Sequence, residues 1–324
     1  MRIAVTGAGG FIGRALTISL ADSGHEVLAL DNNARGHLKS LPRHERIRPQ
    51  GCDVLDTANL CEVTRGINAI YHLAYINGTK NFYTIPERIL EVGILGTHNI
   101  LKACLENKVP HFFLASSSEV YQQASLIPTP EEVEMKIPDI LNPRYSYGGG
   151  KIACELLTVN YLRKSDTRWV IFRPHNVYGP QMGTDHVIPE LIQKILSQKA
   201  LTPSQTPVQL DIQGTGAETR AFIYIDDAIR AVETCTLKNQ ESGIYHLGVS
   251  DEIRIRDLIS LLAKILDVTL SIKTSESPKG STPRRCPDTS KLQKLGFRPE
   301  ISLEEGLRRT AAWYRENQPQ KETL

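Results

Sequence analysis

The chain has 324 residues, of which 40% are hydrophobic and 23% are charged, values typical of a globular protein with a sizeable core. Its 38 Lys and Arg residues against 36 Asp and Glu residues leave a formal net charge of +2, so the charge balance indicates neither a nucleic-acid nor a membrane-surface partner. No apolar run approaches the roughly 20 residues that span a bilayer, and the glycines soon after Met1 predict that no secretory leader is present.

The six cysteines are scattered and show neither a C-x-x-C pair nor the spacing of zinc ligands. In a chain of this length such cysteines are typical of reduced, mostly structural thiols rather than of a disulfide scaffold. We therefore expect a cytoplasmic protein without a metal site.

The first 31 residues predict a β-turn-α-β unit. Residues 2–6 have the apolar pattern of a short buried strand, a glycine-rich turn follows, and a helical pattern continues to about Ser23 before a second strand at 26–31. Further strands are predicted at 47–52, 69–74, 111–116 and 169–173, and they alternate with helices, the clearest at 87–107. This alternation predicts an α/β fold with a doubly wound, Rossmann-like parallel sheet.

The pattern becomes less regular after Pro174. Loops are predicted at 198–216 and 274–287, strands at 208–212 and 244–247, a strand–helix pair at 221–237, and helices around 258–265 and 302–313. We predict a large domain of residues 1–174, to which 221–248 return, and a smaller mixed α/β cap of residues 175–220 and 249–324 that binds the substrate. The cleft between the two is the expected site.

Gly7, Gly10 and Gly13 are spaced G-x-x-G-x-x-G between a predicted strand and a predicted helix. Glycines in this position let the backbone approach a pyrophosphate, and the N-terminus of the following helix favours negative charge. We therefore predict that this loop, which includes Phe11 and Ile12, binds a dinucleotide.

Asp31 closes the second predicted strand, 18 residues after Gly13. A carboxylate there can bind the ribose hydroxyls of adenosine and repels a 2′-phosphate, which predicts NAD rather than NADP. The alternative is an ordinary turn aspartate beside Asn32. Asp53, just after the third strand and next to Val54, is either a partner for the adenine amino group or an ordinary cap residue.

Ser117, Tyr147 and Lys151 form the second candidate constellation. Tyr147 and Lys151 are spaced Y-x-x-x-K at a helix start, so their side chains point the same way, and an ammonium beside a phenol favours the phenolate. Ser117 follows the strand at 111–116, at the edge where open α/β sheets bind ligands. The alternative for the pair alone is a solvated helix face.

Together these motifs resemble the extended short-chain dehydrogenase/reductases, in the NAD-dependent nucleotide-sugar epimerase/dehydratase group, over nearly the whole chain. The segments that carry the resemblance are residues 6–13, 72–74, 96–99, 116–121, 147–151, 173–180, 220–227 and 285–288. The resemblance implies cofactor contacts at Leu73 and Ala74 and a homodimer packed through helices near 87–107 and 147–163.

The same resemblance implies a nucleotide-sugar substrate, in the first instance a UDP-sugar. It places Asn176, Arg220 and Arg285 near the diphosphate and ribose, where guanidinium groups suit phosphate oxygens, and it adds Ser118 and Val187 to the substrate site. The alternative for the two arginines is a surface ion pair.

Two residues depart from the family pattern, and the first turn of one helix is unusually rich in glycine. Gly93 stands where the family usually has Asn, so one polar contact near the cofactor is missing or replaced. Tyr75 stands where a small residue is usual and narrows the site. The three glycines 148–150 lower the stability of the first turn of their helix.

These observations predict an NAD-dependent epimerase that acts at the sugar C4 through a transient 4-keto intermediate. Tyr147 as the phenolate would remove the proton of the 4-hydroxyl group, Ser117 would bind the same oxygen, and Lys151 would hold the tyrosine and the nicotinamide ribose.

A dehydratase or UDP-glucuronate-type decarboxylase that uses Glu119 is the alternative enzyme, because Ser117 and Glu119 both face the sugar if the strand geometry continues. Glu119 could instead only pin its loop. A catalytically silent NAD-binding sensor or scaffold is the alternative of a different class.

Overall fold

The computed structural model describes residues 1–201, 207–276, 280 and 282–317. Parts of both predicted loops (202–206, 277–279 and 281) and the end of the predicted cap (318–324) lie outside the described residues. The strands are β1 (Arg2–Thr6), β2 (Glu26–Asp31), β3 (Ile47–Gly51), β4 (Ala69–His72), β5 (His111–Ala115), β6 (Arg168–Pro174), β7 (Val177–Tyr178), β8 (Val208–Gln213), β9 (Thr219–Ala221), β10 (Ile223–Tyr224), β11 (Gly243–Leu247), β12 (Glu252–Arg254), β13 (Leu270–Ser275) and β14 (Arg284–Arg285).

The α-helices begin in the predicted β-turn-α-β unit and continue to the last described segment. They are α1 (Phe11–Asp22), α2 (Thr57–Val63), α3 (Thr79–Thr84), α4 (Pro86–Leu90), α5 (Gly96–Glu106), α6 (Ser146–Leu162), α7 (Val187–Leu201), α8 (Ile225–Glu233), α9 (Ile255–Leu266), α10 (Ser290–Lys294) and α11 (Leu303–Glu316). Helix α7 has no counterpart in the sequence-based prediction, and its last turn occupies the start of the predicted loop at 198–216.

Seven parallel strands form the central sheet, in the order β11-β6-β5-β4-β1-β2-β3. Ile3 and Val5 of β1 point into one buried cluster and Ala4 into another, as the two-residue period of a strand requires. Because helices cover both faces, the inner strands β1, β4 and β5 are apolar on both sides rather than alternating, whereas the edge strand β3 is largely exposed. The predicted doubly wound parallel sheet is confirmed.

The later part of the chain builds smaller sheets beside the carboxyl edge of the central one. Strand β7 pairs with β10, β9 lies between β12 and β14, and β8 pairs with β13. Helix α11 packs against α7 and α9. Strand β11 returns to the central sheet beside β6.

The helical stretch predicted at 87–107 is present, but its middle is not α-helical. Helix α4 passes into a π-helical segment, Glu91–Leu95, before α5 begins. Gly93 lies at the centre of this segment, and its carbonyl accepts a hydrogen bond from Cys154 Sγ of α6 at 3.3 Å. The wider turn therefore coincides with a residue that has low helix propensity and with a contact between helices.

All six cysteines are free thiols. In the described ranges, no helix combines the length and the apolar character that crossing a bilayer requires.

Candidate active site

A cavity of about 560 Å³ lies at the carboxyl edge of the central sheet. The strand order reverses around β1, since β2 lies on one side and β4 on the other. Such a point is where open α/β sheets leave a crevice for ligands. Gly7 follows β1, Asp31 ends β2, Leu73 follows β4 and Ser117 follows β5, and all of them line this cavity.

The glycine loop has no room for side chains. Gly7 has φ +72°, and a Cβ there would lie 2.7 Å from the backbone nitrogen of Ala74. A Cβ on Gly13 would overlap the carbonyl oxygen of Gly7. Helix α1 begins at Phe11 after Gly10, and no side chain caps its first turn. The loop and this uncapped helix N-terminus line the cavity, an arrangement that suits a pyrophosphate.

Asp31 is buried at the cavity wall. Its Oδ2 accepts a hydrogen bond from the Gly9 backbone at 2.9 Å, and its Oδ1 accepts one from the Asn33 backbone at 2.7 Å. These two bonds hold the carboxylate in place, and each oxygen retains a lone pair for a ribose hydroxyl.

The adenine end of the predicted site is lined by Asn32 and Val54. Asp53 is not one of the described residues that line the cavity. Asp53 accepts hydrogen bonds from Asn32 Nδ2 at 3.1 Å and from the Leu55 backbone at 2.9 Å. Its side chain therefore supports the cavity wall from outside. This position favours the interpretation of Asp53 as an ordinary turn residue over a contact with adenine.

Ser117, Tyr147 and Lys151 all line the cavity. Helix α6 places Tyr147 in its first turn and Lys151 one turn later, and the Ser117 side chain lies beside the Tyr147 hydroxyl. Ser117 also caps a short 3-10 turn, in which its Oγ accepts from the Glu119 backbone at 3.1 Å.

The electrostatics of this group differ from the expectation that Lys151 favours the phenolate. Burial raises the pKa of Tyr147, and the adjacent Ser117 side chain offsets only part of this. Lys151 Nζ donates to the carbonyl oxygen of Ala115 at 2.7 Å and lies 5.8 Å from the centroid of the Tyr147 ring. Burial therefore disfavours the phenolate in this arrangement.

Lys151 itself is almost fully buried, at 3% exposure. Burial lowers the pKa of Lys151 to about 8, and the neighbouring Cys154 and Glu155 act weakly in the opposite direction. The site thus holds an ammonium that is easier to deprotonate than an ordinary lysine.

Glu119 and Arg285 form an ion pair of 2.7 Å across the cavity wall. Burial acts to raise the pKa of Glu119, but the Arg285 guanidinium outweighs it and keeps the pKa below its ordinary value. The extended geometry expected from Ser117 to Glu119 is wrong, because residues Ser118–Val120 form the 3-10 turn. Both side chains and Ser118 nevertheless line the cavity.

Three further predicted substrate residues are placed differently from one another. Asn176 lines the cavity and donates from Nδ2 to the Ala221 carbonyl at 2.9 Å. Arg220 stands behind the cavity wall, where its guanidinium donates to the carbonyls of Thr219 and Thr282. Val187 begins α7 and is 39% exposed, away from the cavity, whereas its neighbour His186 lines it.

Phe82 is a cavity residue that no sequence motif marked. It lies in α3, and its ring stacks on that of Tyr147 with centroids 5.1 Å apart. Arg35, just beyond the Asp31 turn, also lines the cavity and lies 3.9 Å from Asp185. Neither residue type nor spacing distinguished these two side chains, because tertiary contacts place helix α3 and the segment after Asp31 at the cavity.

A sequence model described as the NAD-dependent epimerase/dehydratase family matches residues 3–248. The chain is 30% identical to UDP-glucuronic acid decarboxylase 1 of Arabidopsis thaliana over 325 aligned positions, which cover 97% of this chain and 70% of the relative.

Two solved structures have the same fold. One is a UDP-N-acetylglucosamine 4-epimerase from Methanobrevibacter ruminantium, in complex with UDP-N-acetylmuramic acid, with TM-score 0.87, 25% identity and coverage of 97% of this chain and 98% of that one. The other is a dTDP-glucose 4,6-dehydratase from Streptomyces venezuelae with NAD bound, with TM-score 0.86, 26% identity and coverage of 98% of both chains.

The burial of Lys151 leads to a prediction about stability. Since its native pKa of about 8 lies below the ordinary 10.5, holding the ammonium in the fold costs free energy at neutral pH. Lys151→Met should therefore raise the free energy of unfolding at pH 7 by about 2–3 kcal/mol, measured by urea denaturation. The unfolded chain binds more protons between pH 8 and 10.5, so the wild type should gain stability over that range and the difference should shrink. A less stable variant at pH 7 would contradict the prediction.

Proposed function

Because the chain belongs to the NAD-dependent epimerase/dehydratase family, we propose that it oxidises a nucleotide-activated sugar at C4 and returns it with the opposite configuration at that carbon. The observation that carries the proposal is the placement of Ser117 beside Tyr147, one helical turn from Lys151, in the same cavity as the glycine loop and Asp31. This combination suits oxidation of an alcohol next to a bound dinucleotide.

The residues present fit NAD. The glycines let the loop and the start of α1 pack closely, since a Cβ on Gly13 would overlap Gly7, and the loop and the uncapped start of α1 line the cavity. Asp31 would hold the adenosine ribose, Leu73 and Ala74 the middle of the cofactor, and Tyr147 and Lys151 the nicotinamide end. NAD, when bound, supplies the redox partner for C4 and, in its oxidised form, a positive charge that favours the Tyr147 phenolate.

Tyr147 is the group we assign to the 4-hydroxyl proton. Its hydroxyl lies beside Ser117 in the cavity, and Ser117 would bind the same sugar oxygen as the 4-keto group forms. The rings of Tyr75 and Phe82 on two sides keep the phenol in place and exclude water. After the 4-keto sugar turns over, C4 would be reduced on its other face, and Tyr147 would return the proton to the same sugar oxygen.

The ion pair of Glu119 favours epimerisation over loss of water. Elimination of a hydroxyl group needs a proton donor at the leaving oxygen. Arg285 keeps the Glu119 carboxylate ionised, and Ser118 occupies the adjacent position, where the resembling dehydratases often have an aspartate. Oxidation and return at C4 require neither side chain as an acid.

Decarboxylation is the second candidate, and the same ion pair favours it. Loss of CO₂ from a 4-keto uronic acid needs no proton donor for a leaving hydroxyl, and Arg285 is a guanidinium at the cavity wall that could bind a carboxylate. Arg285 Nε is buried and, among the described residues, has no hydrogen-bond partner. UDP-N-acetylmuramic acid in one similar structure and the decarboxylase among the relatives support a UDP-sugar as the substrate class.

Cofactor selectivity follows from Asp31. We expect NAD to bind at least about tenfold more tightly than NADP, a difference of about 1.4 kcal/mol, because the fixed carboxylate repels a 2′-phosphate. Asp31→Ala should reduce this difference in calorimetric titrations. Asp53→Ala is the matched control and should leave the ratio unchanged, since Asp53 does not line the cavity. Equal dissociation constants in the wild type would refute the assignment.

The role of Tyr147 is tested by Tyr147→Phe, which removes the hydroxyl and keeps the ring. NAD binding should persist, whereas turnover on a responsive nucleotide sugar should fall by roughly 10²–10⁴, the usual contribution of a positioned acid or base. Tyr83→Phe is the control, because Tyr83 is half-exposed and lies outside the cavity. If Tyr147→Phe keeps more than about a tenth of the activity, the proton is transferred elsewhere.

Glu119→Gln separates the two candidate reactions. A panel of UDP-, GDP-, CDP- and dTDP-sugars, with products identified by mass and NMR, first shows whether the product keeps the substrate mass. For an epimerase we expect unchanged mass and activity within about tenfold in Glu119→Gln, because the carboxylate takes no part at C4. A wild-type product that has lost CO₂, with accumulation of reduced cofactor in the variant, would instead assign the decarboxylase.

A further inference from the structure

Tyr75 occupies a space that two glycines leave open. An ideal Cβ on Gly93 would overlap the Cε2, Cζ and hydroxyl oxygen of the Tyr75 ring. An ideal Cβ on Gly150 would overlap the same hydroxyl oxygen and lie 3.4 Å from Cζ. The tyrosine and the glycines are far apart in sequence but depend on one another in the fold, since any side chain at either glycine would displace the ring.

The face of the Tyr75 ring lies against the ammonium of Lys151. Lys151 Nζ is 3.8 Å from the centroid of this ring, whereas it is 5.8 Å from the centroid of Tyr147. Its one hydrogen bond within the described residues goes to the Ala115 carbonyl. A cation at this distance from a tyrosine face is attracted by the negative face of the ring, and most strongly where water is excluded.

We propose that Tyr75, Gly93 and Gly150 form one unit in which the aromatic face of Tyr75 carries the Lys151 ammonium, so that Tyr75 is a positioning residue for this lysine. The unit takes the place of the polar group that the family usually has at position 93. The inference rests on the role proposed above for Lys151 toward Tyr147 and the cofactor.

Packing alone does not account for a tyrosine at this place. The Tyr75 hydroxyl is buried and has no hydrogen-bond partner among the described residues, which is unfavourable. A leucine in the same space would bury apolar surface without this cost. What the ring offers and a leucine lacks is the π face beneath Lys151, and edge-to-face contact with Tyr147 at 5.2 Å.

The direct test is the NMR signal of Lys151 in the NAD-loaded protein with ¹³C-labelled lysine side chains. Protons held over an aromatic face are shifted upfield, so the ε-methylene signal of Lys151, assigned by its loss in Lys151→Met, should lie upfield of the other lysines. Tyr75→Phe should retain this shift, and Tyr75→Leu should abolish most of it. An unshifted Lys151 signal in the wild type, or a shift that persists in Tyr75→Leu, would overturn the proposal.

Steady-state kinetics, with the nucleotide sugar on which the panel above shows turnover, provide the second measurement. Tyr75→Leu should lower kcat about tenfold with little change in KM for the sugar. The substitution displaces the lysine but leaves the contacts of the sugar unchanged. Tyr75→Phe should stay within about twofold of the wild type, since it keeps the π face. Equal losses in Tyr75→Phe and Tyr75→Leu would show that the hydroxyl, and not the ring, is required.

The dependence among the three residues is tested by thermal unfolding of single and double variants. Gly150→Ala should lower the Tm of the wild type. The decrease in Tm should be smaller in a Tyr75→Phe background, because the hydroxyl oxygen that the new Cβ would overlap is absent there. Gly93→Ala meets ring carbons as well, so Tyr75→Phe should not relieve it and Tyr75→Ala should. Additive effects in both cycles would contradict the unit. If the protein turned over no nucleotide sugar, the proposed function would fail, but the NMR shift of Lys151 and the double-mutant cycles in Tm would still test the proposal.

Discussion

The arrangement of the site depends on one buried ion pair, between Arg173 of β6 and Glu155 of α6. The two side chains are 2% and 3% exposed, and Arg173 Nη2 lies 2.6 Å from Glu155 Oε2. Glu155 also accepts a hydrogen bond from Ser116, the residue before Ser117. One carboxylate thus ties the strand end that carries Ser117 to the helix that carries Tyr147 and Lys151. Removing one partner of such a pair costs about 3–5 kcal/mol, because the other charge is left buried alone.

Burial shifts the pKa values of Tyr147 and Lys151, the two titratable side chains that α6 brings to the cavity. The same low-dielectric surroundings raise the pKa of Tyr147 and lower that of Lys151, so both charged forms are disfavoured until other charges enter the cavity. The backbone carbonyl of Ala115 and the face of Tyr75 are the contacts that compensate the ammonium. Burial thus disfavours the Tyr147 phenolate and brings the Lys151 ammonium closer to deprotonation.

The ion pair of Glu119 and Arg285 stands on the wall of the cavity that Tyr147 also lines. Glu119 is held by Arg285, so its carboxylate is neither free to take a proton nor protonated to give one. The related proteins include epimerases, dehydratases and a decarboxylase on the same fold.

The sequence alone determined the central sheet, the glycine loop, Asp31 and the Y-x-x-x-K helix, because each depends on residues close in the chain and on a simple period. Only the tertiary structure decided that Asp53 and Val187 do not line the cavity, that a π-helical segment interrupts residues 87–107, and that Phe82 stacks on Tyr147. It also decided the Glu119–Arg285 pair and the nesting of Tyr75 against Gly93 and Gly150. These contacts join residues that are far apart in the chain, and the pKa values depend on burial, so no local pattern could contain them.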